Sequence, residues 1–328
     1  MSDVPFDQDP SGAGEPRSGE FRCGYVGLFG RPNAGKSTLL NAVLGNKLAI
    51  TSAKPQTTRN RIAGIHSDDA MQVILVDTPG VHEAWTELNR NMVQRAIGAI
   101  EDVDVVCWIG DMTVLAARVE QNQPVLDAVD EELAAQFQRS GRPVVFVANK
   151  VDVVPYPLIL PVIDAIRTRL PIVAAVPASA LTGDGVPVLL DEIRRQLPVG
   201  PPLFPPDEWA QVSERFLVAE IVREKVFHLT EEEIPYATHV EVRLFDETQR
   251  EERGIVRIFA DVVVERESQK GIVIGKGGEM LKRIGTLARK DLVELLGCRV
   301  YLELHVRVEK DWTRSQRGLR RVGFTDDQ

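Results

Sequence analysis

The chain of 328 residues contains 44% hydrophobic and 27% charged residues, which is typical of folded globular proteins and allows about two domains of ordinary size. No stretch reaches the roughly 18 uninterrupted apolar residues that a membrane span needs, and residues 1–20 lack the apolar run of a signal peptide. The formal net charge of −9 argues against nonspecific binding of nucleic acid by the surface as a whole, because such binding needs an excess of basic residues.

The N-terminal residues and the cysteines indicate the compartment. Residues 1–20 show no apolar periodicity, so we expect a disordered acidic tail there. Cys23, Cys107 and Cys298 lie far apart and form no C-x-x-C pair. We therefore expect three reduced, buried cysteines in a cytoplasmic protein.

From residue 21 to about 200, short apolar runs alternate with helical patterns. Runs rich in Val and Ile suit parallel strands that are covered on both faces, and the intervening segments are long enough for crossover helices. The strand runs are residues 24–29, 71–77, 103–110, 143–150 and 171–179. This pattern predicts a doubly wound α/β domain with a mostly parallel sheet.

A second domain follows a proline-rich linker at residues 201–206. Over residues 207–310 the pattern gives a helix, two strands, a glycine-rich turn with helices, and a last strand. This order predicts an α+β domain, and Gly297 stands where the helix after the turn should end. Residues 311–328 form a basic C-terminal tail.

A phosphate-binding motif begins directly after the first strand run. Residues 30–37 match G-x-x-x-x-G-K-[ST] between a strand and a helix. In this motif backbone N–H groups face the phosphates, Lys36 reaches the β- and γ-phosphates, and the Ser37 hydroxyl can bind Mg²⁺. The motif alone fits ATP or GTP. The predicted phosphate-binding residues are Gly30, Asn33, Ala34, Gly35, Lys36, Ser37 and Thr38.

Two further strand ends favour GTP. Asn149, Lys150 and Asp152 fit an N-K-x-D motif, in which the aspartate accepts from guanine donors that adenine lacks. Ser179, Ala180 and Leu181 fit a second base-contacting loop, with the Ala180 N–H facing the guanine oxygen.

The metal and the γ-phosphate are predicted to be bound between these motifs. Asp77 ends a strand run and can hold Mg²⁺, and the Gly80 N–H can donate to the γ-phosphate. A polar stretch before it contains Thr57 and Thr58, of which one should close on Mg²⁺ and the γ-phosphate. An ordinary surface loop is the alternative for this stretch.

A basic patch surrounds the glycine-rich turn of the second domain. Between Arg266 and Lys290 there are seven basic and two acidic residues. Residues 275–278 match G-x-x-G, a loop that in KH domains binds the backbone of about four nucleotides. A second phosphate-binding turn or a plain helix cap is the alternative. The predicted RNA-binding residues are Gly275, Lys276, Gly277, Gly278, Lys282 and Arg283.

The strings GRPNAGKSTLLN, KPQTTR, DTPG, NKVD and SAL, followed by REKVFHLTEEEIPY and VERESQKGIVIGKGG, resemble the Era family of bacterial GTPases from about residue 22 to 325. This is the TrmE-Era-EngA-YihA-Septin-like class with a type II KH domain. The resemblance implies GTP hydrolysis with Mg²⁺, binding to small-subunit ribosomal RNA and a role in 30S subunit maturation. It also implies loose contact with the inner membrane face. We expect a monomer.

Val81 occupies the place where many GTPases have a water-orienting Gln. An apolar side chain cannot orient water by hydrogen bonding. The family resemblance suggests a K⁺ ion bound by Asn33 as the additional positive charge, although Asn33 can instead shape the loop. The predicted catalytic residues are Asn33, Lys36, Thr57, Thr58 and Gly80.

Two other classes of function compete with the GTPase switch. One is an RNA-binding protein in which the nucleotide mainly stabilises the fold. The other is a membrane-surface adaptor that uses the basic segment from Arg307 to Arg321, with Trp312 as an interfacial anchor.

Overall fold

The computed structural model describes residues 20–52, 54, 57–59, 62–81 and 87–322. Within them a six-stranded sheet has the order β2-β3-β1-β4-β5-β6, in which β2 is antiparallel to β3 and the other neighbours are parallel. Its strands are β1 (Arg22–Gly30), β2 (Ile62–Ser67), β3 (Met71–Asp77), β4 (Val105–Asp111), β5 (Val144–Asn149) and β6 (Ala174–Ala178).

Helices cover both faces of this sheet, which explains why its central strands are apolar throughout. Val26 and Leu28 face one apolar core, whereas Phe29 and Trp108 face the other. The helices are α1 (Lys36–Leu44), α2 (Glu87–Gly98), α3 (Met112–Glu120), α4 (Ala128–Ser140), α5 (Ile159–Arg167) and α6 (Val186–Gln196). The carboxyl ends of β1, β3, β4 and β5 share one edge of the sheet, where ligands of such folds bind.

The second sheet has the order β7-β8-β9, with β7 antiparallel and β9 parallel to β8. Its elements are α7 (Glu214–Leu229), β7 (His239–Asp246), α8 (Arg250–Arg253), β8 (Ile255–Val264), α9 (Glu267–Ile274), α10 (Glu279–Leu296), β9 (Arg299–Val308) and α11 (Gln316–Arg321). The helix α10 ends at Gly297, whose φ of 63° is left-handed as predicted.

The structure corrects several details of the sequence prediction. The strand β2 was not predicted, so Asp77 ends the third strand. The apolar residues Val273 and Ile274 before the G-x-x-G loop, for which the sequence predicts a strand leading into a helix, belong to α9. The apolar spacing of residues 281–295 predicts a buried helix face that includes Ile284, Leu287 and Leu292. Leu287 is 39% exposed, whereas Ile284 and Leu292 are buried. Cys298 is only partly buried, whereas Cys23 and Cys107 are buried as expected.

The predicted linker contacts the first sheet. The buried amide of Gln72 accepts from the N–H groups of Leu203 and Phe204 at 2.7 and 2.9 Å, and the Ile65 N–H donates to Trp209 O at 2.8 Å. Leu217 of α7 joins the apolar core on one face of the first sheet. The two sheets are therefore joined by packing as well as by the chain.

Some predicted features lie outside the described residues: the tail up to residue 19, part of the C-terminal tail at 323–328, residues 55–56 of the KPQTTR segment, and residues 82–86. Among the described residues, no helix is both long and apolar enough to cross a membrane.

Candidate nucleotide and RNA sites

The phosphate loop connects the end of β1 to the start of α1. Gly35 has a φ of 98°, and a Cβ atom there would lie 2.1 Å from the Asn149 amide nitrogen, so only glycine fits. The Lys36 Nζ donates to Gly30 O at 3.1 Å and to Arg31 O at 2.9 Å. Burial lowers the pKa of Lys36 to about 8, an effect that the nearby Asp77 carboxylate partly opposes.

A cavity of about 610 Å³ opens over this loop. It lies at the carboxyl edge of the sheet, where the sequence placed the nucleotide. Most of the predicted residues line it: Asn33, Gly35, Lys36, Ser37, Thr38, Thr57, Thr58, Gly80, Asn149, Lys150, Asp152, Ser179, Ala180 and Leu181. Gly30, Ala34 and Asp77 are buried directly beneath it.

Three oxygen-bearing side chains meet on the metal side of the cavity. Asp77 Oδ2 accepts from Ser37 Oγ at 2.7 Å and from Thr58 Oγ1 at 2.8 Å. Asp77 Oδ1 is buried and has no hydrogen-bond partner among the described residues. Two hydroxyls and a carboxylate are ligands that Mg²⁺ prefers, so the cluster fits this ion. Thr57 lines the cavity, but the hydroxyl that reaches Asp77 belongs to Thr58.

Burial of Asp77 raises the pKa of its carboxyl group, against the opposing effects of Lys36 and the two hydroxyls. The residues after it pack on the phosphate loop. A Cβ atom on Gly80 would lie 2.7 Å from Pro32 N, and the Val81 N–H donates to Gly30 O at 3.1 Å. Gly80 therefore tolerates no side chain in this arrangement.

Asn149 connects the base side of the cavity to the phosphate loop. Its Nδ2 donates to Ala34 O at 2.7 Å, and its Oδ1 accepts from the Ala180 N–H at 2.9 Å. The Ala180 N–H was expected to face the guanine oxygen; instead it donates to Asn149. Asp152 follows in a short 3₁₀ turn and lines the cavity.

The sequence prediction missed Asp111, which also lines the cavity and accepts from Lys150 Nζ at 2.6 Å. Its only signal in the sequence was its position at the end of a strand run. This ion pair fixes the Lys150 side chain. The backbone of Lys150 has a left-handed φ of 71°.

The Gly275–Gly278 loop connects α9 to α10. Gly275, Gly277 and Gly278 have φ values of 74°, 62° and 83°. A Cβ atom on Gly275 would lie 2.7 Å from Met280 Cβ, whereas one on Gly277 or Gly278 would meet no described atom within 4 Å. The predicted basic residues Lys276, Lys282 and Arg283 are exposed around this loop.

Contacts between the first switch segment, residues 54–59, and the second domain were not predicted. Lys54 Nζ donates to Phe227 O at 2.9 Å, and Arg59 donates to the carbonyls of Thr238 and Tyr236 at 2.6 and 2.8 Å. Arg223 of α7 donates to the Thr57 carbonyl. The segment that carries Thr58 is therefore bonded to the second domain.

The structure contradicts the role of Trp312 as an interfacial anchor. Its side chain is fully buried, donates from Nε1 to Ala237 O at 3.0 Å, and packs with Leu88 and Met92 of α2 and with Leu319. Basic surroundings suggested a surface position, but packing between the two domains buries the ring.

Comparison with known proteins agrees with this geometry. A family model described as 50S ribosome-binding GTPase matches residues 25–150, and a KH domain model matches residues 233–313. Fold and cavity thus define a P-loop GTPase that carries a KH domain.

GTPase Era of Geobacter metallireducens is 49% identical over 305 residues, which cover 93% of this chain and 98% of that protein. GTPase Era of Syntrophus aciditrophicus is 48% identical over 93% of this chain and 96% of its own. The chain belongs to the GTPase Era family, and it is an enzyme that hydrolyses GTP.

Two solved structures show the same fold. An Aquifex aeolicus Era variant bound to GDP·AlF4⁻ is 38% identical, covers 93% of this chain and 100% of its own, and superposes with a TM-score of 0.85. Era in complex with MgGDPNP and nucleotides 1506–1542 of 16S ribosomal RNA is 38% identical, covers 93% of this chain and 99% of its own, and has the same TM-score of 0.85.

Proposed function

We propose that this chain is a GTP-operated switch that binds small-subunit ribosomal RNA and acts in maturation of the 30S subunit. The observation that carries the RNA part is the Gly275–Gly278 loop, with three left-handed glycines and with the exposed cations Lys276, Lys282 and Arg283 in and around it. Glycines, which have no side chain, admit a phosphate backbone closely, and the cations attract it. The Era complex with a 16S ribosomal RNA fragment supports the same partner.

In this proposal the phosphate loop and Lys36 bind the β- and γ-phosphates, and Gly80 donates its N–H to the γ-phosphate. Ser37, Asp77 and Thr58 hold Mg²⁺, because their oxygens meet within 2.8 Å of one another. When bound, the ion neutralises charge on the phosphates. Thr57 contributes through its backbone, since its carbonyl is bonded to Arg223.

Asp152 recognises the guanine base. Asn149 and the loop of Ser179, Ala180 and Leu181 line the rest of the cavity on the side of the base. A carboxylate at Asp152 accepts from the two donors that guanine offers. ATP would leave this acceptor without a partner, which costs roughly 1–3 kcal/mol.

We propose that a K⁺ ion held by Asn33 supplies additional positive charge and so compensates for the absence of a water-orienting residue. Val81 is buried and apolar, so it cannot orient water. Asn33 lines the cavity beside the phosphate loop, in a backbone conformation with a φ of 63°. A cation there would stabilise charge that develops during hydrolysis.

Three further parts of the proposal concern the whole chain. We propose a monomer with a domain boundary at residues 201–206. The separate hydrogen-bonded sheets on either side of these residues support the boundary. We also propose a cytoplasmic protein that makes loose contact with the inner membrane face. The exposed Arg314, Arg317 and Arg320 near the C-terminus support that contact. The buried Trp312 takes no part in it.

Replacing Gly277 and Gly278 together by Asp tests the RNA assignment. Two carboxylates would repel the phosphates and block the close approach of the backbone. We expect affinity for a synthetic RNA of the 3′-terminal 16S sequence to fall by about tenfold or more at one fixed salt concentration. Hydrolysis of GTP without RNA should persist, because the cavity is formed by the other domain.

Gly254→Asp is the matched control. Gly254 also has a left-handed φ of 60°, and a Cβ atom there would meet no described atom within 4 Å, but this glycine lies between α8 and β8. The control should bind RNA like the wild type. RNA binding by the Gly277 and Gly278 variant at wild-type strength would show that the RNA contact lies elsewhere.

A further inference from the structure

Arg223 is a buried cation of the KH domain that faces the nucleotide-binding domain. Its side chain is 3% exposed, and its Nε and Nη2 donate to the Glu220 carboxylate at 2.8 and 2.6 Å. Nη2 also donates to the carbonyl of Thr57, and Nη1 is buried without a hydrogen-bond partner among the described residues. A buried guanidinium thus joins α7 to the backbone of the first switch segment.

Two more contacts hold the same segment on either side of Thr57. Lys54 Nζ donates to Thr230 O at 2.5 Å as well as to Phe227 O, at the end of α7. Arg59, 4% exposed, donates to backbone carbonyls just before β7. Arg223 is therefore the middle of three attachments between this segment and the KH domain.

Thr58 lies between two of these attachments. Its hydroxyl is 2.8 Å from Asp77 Oδ2 and 2.8 Å from Ser37 Oγ, and the residue is 5% exposed. A residue has only two soft backbone torsions. Fixing the carbonyl of Thr57 and the side chain of Arg59 therefore leaves Thr58 little freedom to leave the cluster.

We infer that Arg223 is a positioning residue for GTP hydrolysis: by holding the Thr57 carbonyl, it keeps the Thr58 hydroxyl beside Asp77, where Mg²⁺ is to bind. This inference rests on the proposed metal role of Thr58 and Asp77. Among the described residues that line the nucleotide cavity, Arg223 is absent. It acts through Thr58 and does not touch the phosphates.

The test variant is Arg223→Met combined with Glu220→Gln in the full chain, without RNA. The second change avoids leaving a carboxylate without its partner. We expect single-turnover hydrolysis at a fixed low Mg²⁺ concentration to fall by about tenfold or more, since a buried bond to a charged group is lost. The Mg²⁺ concentration that half-maximally slows dissociation of a fluorescent, non-hydrolysable GTP analogue should rise by a similar factor.

Two controls accompany this variant. Glu220→Gln alone keeps the contact of Arg223 with Thr57 and should behave like the wild type. Arg215→Met removes another arginine of α7, whose Nη2 donates at 2.7 Å to Val242 O inside the KH domain. It should leave both the hydrolysis rate and the Mg²⁺ dependence unchanged.

Each outcome is decisive. Unchanged Mg²⁺ dependence of the double variant overturns the inference. If hydrolysis is also unchanged, Arg223 only joins the domains. If hydrolysis is slower, Arg223 affects the reaction without acting through the metal site. A lower unfolding temperature with normal Mg²⁺ dependence also overturns it. Failure of the wild type to bind ribosomal RNA would refute the proposed function without affecting this assay.

Discussion

Lys36 and Asp77 carry charges that the protein alone leaves poorly compensated. Burial lowers the pKa of Lys36 to about 8 and raises the pKa of Asp77, although each lies near the other. Such opposing shifts are common where a charged ligand completes the site. In the proposed function, the γ-phosphate supplies the counter-charge for the lysine and Mg²⁺ supplies it for the carboxylate.

Asp152→Asn should exchange the base preference. The amide of Asn donates where the carboxylate accepted, so affinity for GTP should fall by about tenfold or more while xanthosine triphosphate gains. Competition between the two nucleotides measures this. Asp164→Asn, on the exposed side of α5, is the control and should keep the wild-type preference. An unchanged preference for guanine in the Asp152 variant would remove this residue from base recognition.

Asn33→Gly should slow hydrolysis by about tenfold and remove its dependence on K⁺, with little change in GTP affinity, because the proposed ion acts on charge in the transition state. Glycine keeps the left-handed backbone at this position, whereas alanine would strain it. Single-turnover rates in K⁺ and in Na⁺ give the comparison. Equal wild-type rates in both salts would mean that another group compensates for Val81.

Among the elements, the central strands and the edge strand β6 were predictable, whereas the edge strand β2 was not. Buried parallel strands have a continuous apolar sequence, as in β3. The strand β2 contains Gly64 and ends in His66 and Ser67, which are poor indicators of a strand. Gly64 is required for packing, since a Cβ atom there would lie 2.5 Å from a methyl carbon of Leu44.

Most residues that line the cavity were predictable because they lie in short motifs at the ends of strands. The contacts of Lys54, Arg59 and Arg223 were not, because their acceptors are backbone carbonyls. Every residue has such a group, so no side chain in the sequence marks the partner. Trp312 was misplaced for a related reason: its burial depends on α2, about 220 positions earlier in the chain.

At the scale of the whole molecule, two segments of the first domain contact the second domain: the first switch segment and α2. Lys54, Thr57 and Arg59 are bonded to α7 and to the residues before β7. Leu88 and Met92 of α2 form one apolar cluster with Val263 of β8, Trp312 and Val322. A change in either segment therefore alters packing against the RNA-binding domain.

RNA affinity should accordingly differ between the GTP and GDP states, by about fivefold or more. Linkage requires RNA to change the ratio of GTP to GDP affinity by the same factor. The RNA affinity is measured by titrating the protein with the 3′-terminal 16S RNA in the presence of GTP or of GDP, at one salt concentration. The nucleotide affinities are measured with and without RNA. Equal RNA affinity in both states would make the domains independent modules.

The Gln72 amide has a consequence for dissecting the protein. This fully buried side chain of β3 bonds the backbone of Leu203 and Phe204, and Leu217 fills the core beneath the first sheet. A fragment that stops at residue 200 would lose the hydrogen bonds of this amide to Leu203 and Phe204, keeping those to Ser67 and Cys23, and would expose apolar surface. Truncated halves would therefore differ from the same residues in the intact chain, and rates measured on a separate GTPase fragment would describe a different molecule.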